Sequence, residues 1–112
     1  MRVTFRRARL AKLCSSEKDL VRTLGTLMAR RVMARLGELE AATTLEDVWS
    51  LPQARAPELR GDRHEQISLD LVHPQRLVVS VGDDPVPRRD DGGLEWMRIT
   101  AVVVEEITDT HD

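Results

Sequence analysis

The sequence is poor in cysteine, in aromatic side chains and in long apolar runs. Its 112 residues include one cysteine, Cys14, which excludes an intramolecular disulfide and fits a reducing compartment. One Phe, two Trp and no Tyr leave an aliphatic core and few rings on which nucleic-acid bases can stack. With a single cysteine and three widely spaced histidines, we expect no structural zinc site.

The sequence also predicts neither a signal peptide nor a membrane-spanning segment. The first residues are basic, as in a signal peptide, but Lys12 interrupts the apolar run that should follow. No other stretch reaches the length needed to span a bilayer. We therefore expect a cytoplasmic protein without a membrane partner, forming one domain over residues 1–112.

Charge is distributed unevenly along the chain. Residues 1–63 contain 13 Lys and Arg against 8 Asp and Glu, a balance of +5, whereas residues 64–112 contain 4 against 11, a balance of −7. A polyanion would be attracted by the first part and repelled by much of the second, so any RNA contact must be local.

The first half predicts a strand followed by helices. Residues 2–7 alternate as a short strand, and a short helical segment follows. Ser16 and Asp19 resemble a capping box that opens one long helix over residues 17–42, in which Gly25 and Gly37 are the weak points. Its outer face carries Arg30, Arg31 and Arg35, for which a solvated surface and a contact with protein or RNA both remain open.

The rest of the chain predicts a short helix and three strands. Thr43 with Glu46, or Thr44 with Asp47, opens a helix that ends at Leu51 and packs on the sheet through Trp49 and Leu51. Residues 55–81 form a basic segment and a hairpin that turns at residues 72–75, because Pro74 fixes its own φ. A polar loop over residues 82–95 precedes the last strand, residues 96–107, whose run of valines indicates a central position. Alternation assigns the hairpin faces: apolar Ile67, Leu69, Leu71, Leu77, Val79 and Val81 against polar Ser68 and Asp70.

The order of elements and several motifs resemble the HigB branch of the RelE and ParE superfamily of toxins. The motifs are Leu59-Arg60-Gly61-Asp62-Arg63, similar to Leu-Lys/Arg-Gly-x-Arg, the strand start at Ser68 with Arg76 on the next strand, and Asp109-Thr110-His111, similar to Asp-Tyr-His. The resemblance covers nearly the whole chain. It implies an α+β, RelE-like fold with a small antiparallel sheet packed against a long helix. It also implies a toxin that cleaves mRNA in the ribosomal A site and is restrained by a helix-turn-helix, HigA-like antitoxin.

Metal-free RNA cleavage by the ribose 2′-hydroxyl requires a proton acceptor, a proton donor and cations near the phosphate. Arginine forks suit the phosphate, so Arg60, Arg63 and Arg76 are the candidate cations. His111 suits proton transfer near neutral pH, and Asp109 would orient it or act as the base. Thr110 completes the predicted RNA-binding set. No metal or cofactor is required.

Several of these residues also have structural interpretations. Arg60 and Arg63 can form salt bridges with acidic neighbours, His111 lies where chain ends commonly fray, and His73 suits a turn. His64 in the basic segment is a weaker candidate for phosphate contact, and Cys14 suits a buried small hydrophobe.

The alternative function is a non-catalytic protein on the same scaffold, either a ParE-like gyrase inhibitor or a degenerate toxin that still binds its antitoxin. Thr110 in place of the family's Tyr, Pro57 in place of a His that many relatives carry, and the acidic second part favour it.

Overall fold

The computed structural model describes residues 1–54, 56–59 and 65–110, and these form an α+β fold, as predicted. Four helices and a 3₁₀ turn accompany four strands within these ranges. In chain order they are β1 Arg2–Phe5, α1 Ala8–Cys14, α2 Glu17–Leu24, α3 Thr26–Ala41, α4 Leu45–Trp49, β2 Ile67–Asp70, β3 Gln75–Val81, the 3₁₀ turn Trp96–Arg98 and β4 Ala101–Asp109.

The four described strands form one sheet in the order β1-β4-β3-β2. β4 has a strand on each side, as its valine run predicted. β3 is antiparallel to both of its neighbours, but β1 runs parallel to β4, so the expectation of an antiparallel sheet is wrong for this pair. A parallel pair needs a long crossover, and the whole chain from β1 to β4, helices included, provides it.

The predicted long helix is interrupted at Gly25. Gly25 has φ +84° and ψ 163°, a conformation that favours glycine, and it separates α2 from α3. Gly37, the other predicted weak point, lies inside α3 without interrupting it. The predicted cap is present, since the Ser16 hydroxyl accepts a hydrogen bond from the Asp19 amide at 3.2 Å.

The core lies between one face of the sheet and the helices. Its fully buried members include Leu20, Val32, Leu39, Leu45, Val48, Ile67, Leu69, Leu77, Val79 and Val104. Hairpin alternation is confirmed for Ile67, Leu69, Leu77 and Val79, which all lie in this core. Two details of the prediction are wrong. The last strand begins at Ala101 and not at residue 96, because a 3₁₀ turn occupies its expected start. Trp49, predicted to pack on the sheet, is 53% exposed because Leu45 and Val48 occupy the buried face of α4.

Ala54 and residues 56–59 lie along the outer edge of β2. The Asp70 amide donates to the Ala54 carbonyl at 2.7 Å, and the Ser68 amide donates to the Pro57 carbonyl at 3.3 Å. These bonds satisfy backbone groups that an open sheet edge would leave unpaired. On the other side of the sheet, a bulge between β3 and β4 makes Glu105 an extra residue, because Val78 pairs with Glu106 and Val79 with Val104.

Candidate functional site

Arg76 is held in a fixed position on the hairpin. Its Nε donates to the Ser68 hydroxyl at 2.7 Å, its Nη2 donates to the Ser68 carbonyl at 3.0 Å, and its Nη1 lies 3.3 Å from the Asp70 carboxylate. Ser68 is fully buried, and the Arg76 side chain is 15% exposed. A guanidinium held at three positions loses little further rotamer entropy when it contacts an anion.

The end of β4 runs beside Arg76. Register places Arg76 opposite Thr108 and Gln75 opposite Asp109, and Thr110 follows directly. Because side chains alternate along a strand, Thr108 shares the face of Arg76, and Asp109 lies on the face of Gln75. The structure therefore brings three of the predicted site residues, Arg76, Asp109 and Thr110, to one end of the sheet, with Asp109 on the face opposite to Arg76. Arg60, Arg63 and His111, as well as His64, lie outside the described residues.

A cavity of about 450 Å³ opens next to Arg76. Apart from Arg76 its lining is mainly apolar: Trp49, Leu51, Pro52, Ala56 and Pro57. Sequence reasoning missed it by assigning Trp49 to the core. A usable signal was present, because Leu45 and Val48 already complete the apolar side of α4 and leave Trp49 facing outward.

Glu105 is a second residue that sequence reasoning missed. Burial alone would raise the pKa of its carboxyl group, but hydrogen bonds from Arg6 and Ser80 and the Arg6 charge outweigh burial, so the pKa is lowered. The carboxylate is therefore held in its charged form on the sheet. The signal in the sequence was the Glu-Glu pair, which breaks the alternation of the last strand.

Of the three arginines predicted on the outer face of α3, Arg30 and Arg31 are exposed as predicted, and Arg35 is not. Arg35 was predicted on the outer face, but it is only 4% exposed, and its Nε donates to the Asp70 carbonyl at 2.7 Å while Nη1 pairs with Glu38. Asp70 is the last residue of β2, and its amide bonds to Ala54 at the outer edge of the sheet. Its carbonyl is therefore available to accept the bond from Arg35. Arg35 thus ties α3 to the hairpin and is a structural residue.

Two further residues are predicted to be structural, and only Cys14 lies away from this end of the sheet. His73 lies in the turn between β2 and β3, and Cys14 is partly buried against the core. Burial raises the pKa of the Cys14 thiol, which disfavours the reactive thiolate.

Among the described residues, no group of three or more His, Cys, Asp or Glu side chains could hold a metal ion. In the same part of the chain, no helix has the length and apolar character to cross a membrane. In comparisons with known proteins, neither a family model nor a curated protein matches this chain.

Proposed function

We propose that this chain is a type II toxin of the RelE and ParE superfamily, HigB branch, with a RelE-like fold. It acts in the cytoplasm as a ribosome-dependent endoribonuclease that cleaves mRNA and inhibits translation. A helix-turn-helix, HigA-like antitoxin is its inhibitory partner. The proposal starts from the resemblance of the motifs described above.

One observation of the structure carries the proposal furthest. Arg76 and the last residues of β4 meet at the same end of the sheet, with Thr108 opposite Arg76. Arg76 and Asp109, the first residue of the last motif, are 33 positions apart in the sequence. Convergence of separated polar groups beside a cavity is typical of a functional site.

Each residue has a role in the proposed transesterification. The guanidinium of Arg76, with Arg60 and Arg63, stabilises the charge that develops on the phosphate as the 2′-oxygen attacks. His111 transfers a proton, and Asp109 orients it or takes the 2′-hydroxyl proton. Thr110 contacts the RNA. The reaction proposed is metal-free and needs no cofactor.

A non-catalytic interaction protein is the second candidate, and the contacts of Arg76 favour it. Its guanidinium already donates to Ser68 and pairs with Asp70, which reduces the charge that it presents to a phosphate. Thr110 also lacks the ring of the family's Tyr. Such a protein would inhibit gyrase or bind only its antitoxin.

Induced expression with mapping of mRNA 5′ ends separates the two. The nuclease produces new ends within translated frames, and both His111→Ala and Arg76→Lys abolish them, because lysine keeps the charge but not the fork. Arg22→Ala, which changes an exposed arginine paired only locally with Asp19, is the matched control and keeps full activity.

Each variant is checked for folding by its circular dichroism spectrum. Growth arrest without new ends, accompanied by DNA damage, would support gyrase inhibition. The absence of any phenotype would support a binding protein. Unchanged cleavage in both folded site variants would refute the assignment of the site.

A further inference from the structure

A second groove lies on the outside of α4, where both tryptophans of the chain meet. The indole rings of Trp49 and Trp96 are in an edge-to-face contact, with centroids 4.8 Å apart and planes at 85°. Met97 is 67% exposed beside them, and buried Leu94 lies beneath. The groove has a volume of about 330 Å³.

The rings are accessible for contact with a ligand. Trp49 is 53% exposed, and Trp96 is partly buried. In an edge-to-face pair, the partner ring covers only one face of one indole, so π-faces remain available at a right-angled corner. The negative face of an indole is the best aromatic surface for a cation.

The rim of the groove is acidic. Among the described residues that line it, Glu46, Glu58 and Glu95 are acidic and Arg89 is basic, and Arg89 pairs with Asp91 at 3.3 Å. In the described parts of the chain, none of the three glutamates takes part in an ion pair. Three carboxylates against one compensated guanidinium give a local negative potential, which repels phosphate and attracts a cation.

We propose that this groove is a docking site for a basic segment of a partner protein, which places an arginine or lysine side chain in the corner formed by the two indoles. The cation lies against the π-faces, its aliphatic stem contacts Leu94 and Met97, and the glutamates pair with its charge. An RNA base is the less suitable occupant because its phosphates would approach the carboxylates. The inference does not depend on the proposed nuclease activity.

Intrinsic fluorescence reports on this site without a label, because the chain has only two tryptophans and both line the groove. The probe is the blocked peptide acetyl-Gly-Leu-Arg-Leu-Gly-amide. Its control replaces arginine with citrulline, which keeps the planar shape and removes the charge. The arginine peptide binds at least about fivefold more tightly at low salt, and the difference shrinks as salt is added.

Variants test whether the difference in affinity between the two peptides arises in the groove. In Trp49→Ala, with Trp96 as the remaining reporter, the two peptides bind equally, and replacing Glu46, Glu58 and Glu95 together with Gln reduces the difference. Leu27→Ala is the matched control, because Leu27 is 55% exposed on α3 and lines neither this groove nor the Arg76 cavity. It leaves the difference unchanged.

Three results would overturn the proposal. The first is equal affinity of the two peptides, or no binding up to millimolar concentration. The second is a difference that persists in Trp49→Ala. The third is tighter binding of uridine monophosphate than of the arginine peptide, which would mark the indoles as a nucleobase platform instead.

Discussion

Asp83 holds the start of β4, and its removal should measurably weaken the sheet. Its carboxylate accepts bonds from the Thr100 amide at 3.1 Å, from the Thr100 hydroxyl at 2.7 Å and from the Ala101 amide at 3.0 Å. Ala101 is 5% exposed, so its amide has little access to replacement water. Hydrogen bonds to a charged group contribute about 1.5–3 kcal/mol each when buried, and less where water reaches the acceptor.

From these contacts we expect Asp83→Ala to lower the free energy of unfolding by about 2–3 kcal/mol, because it leaves the Ala101 amide without its acceptor. Asp83→Asn keeps a neutral acceptor and should cost about 1 kcal/mol. Thr100→Val removes only the hydroxyl donor. A double-mutant cycle with Asp83→Ala should give a coupling energy of about 1 kcal/mol, measured by urea unfolding followed by tryptophan fluorescence.

The effect should also depend on pH. Burial alone would raise the pKa of Asp83, but the hydrogen bonds from Thr100 and Ala101 outweigh it and lower the pKa below the ordinary value. A lowered pKa means that the stabilisation is present above the unfolded-state value of about 3.9 and is lost as pH falls through the folded-state value. The difference between wild type and Asp83→Asn should therefore shrink in acid. Glu105 and Asp91, whose pKa values are also lowered, remain in both proteins and cancel in the comparison.

Two results would refute this reasoning about Asp83. One is an Asp83→Ala protein within about 0.5 kcal/mol of wild type at neutral pH, which is the range of ordinary surface substitutions. The other is a wild-type to Asp83→Asn difference that stays constant from about pH 6 to about pH 3.

Four other substitutions test the remaining local features, each by urea unfolding. Gly25→Ala should lower the free energy of unfolding by about 1–3 kcal/mol, because a φ of +84° is strained for alanine. Gly37→Ala should raise it by up to about 1 kcal/mol, because Gly37 lies inside α3 and nothing lies within 4 Å of the added methyl group. Equal effects of the two substitutions would contradict the helix break assigned to Gly25. Arg35→Ala should lower the free energy of unfolding by about 3 kcal/mol. It removes the ion pair of the partly buried Glu38 carboxylate, which keeps only its bond from Gln53, and it removes the donor to the Asp70 carbonyl. A loss below about 1 kcal/mol would show that water replaces these contacts. Ser16→Ala should cost about 1 kcal/mol through loss of the helix cap, and no change in the midpoint would argue against that cap.

The elements that the sequence predicted correctly are those that depend on local pattern. The hairpin strands and the central β4 follow from alternation and from the valine run, which are properties of neighbouring residues. The direction of β1 does not follow in this way, because its partner lies almost a whole chain length away. Gly25 and Gly37 make the same point, since both are glycines within one predicted helix and only the conformation of Gly25 separates α2 from α3.

The candidate site was predictable to a similar extent. Arg76 was found because it lies in an alternating strand next to a turn, and its bonds to Ser68 follow from cross-strand pairing. Trp49 and Arg35 were misassigned for opposite reasons. A tryptophan was expected inside and an arginine outside, but the burial of each is decided by the contacts available in the folded chain. Side-chain hydrophobicity alone does not specify those contacts.

The charge division along the chain is partly cancelled in space, and this limits where RNA can bind. β1 comes from the basic part and lies beside β4 from the acidic part, so Arg6 pairs with Glu105 at 3.0 Å. Arg88, from the acidic part, pairs with Glu65 instead of adding to a basic surface. A polyanion therefore meets no continuous basic surface along β1 and β4. Any attraction must come from arginines that do not pair with a carboxylate of this chain. Arg76 itself pairs with Asp70 at 3.3 Å, so the proposed nuclease depends on the other predicted cations, Arg60 and Arg63, for most of this attraction. The acidic groove at Trp49 remains suited to a partner of opposite charge.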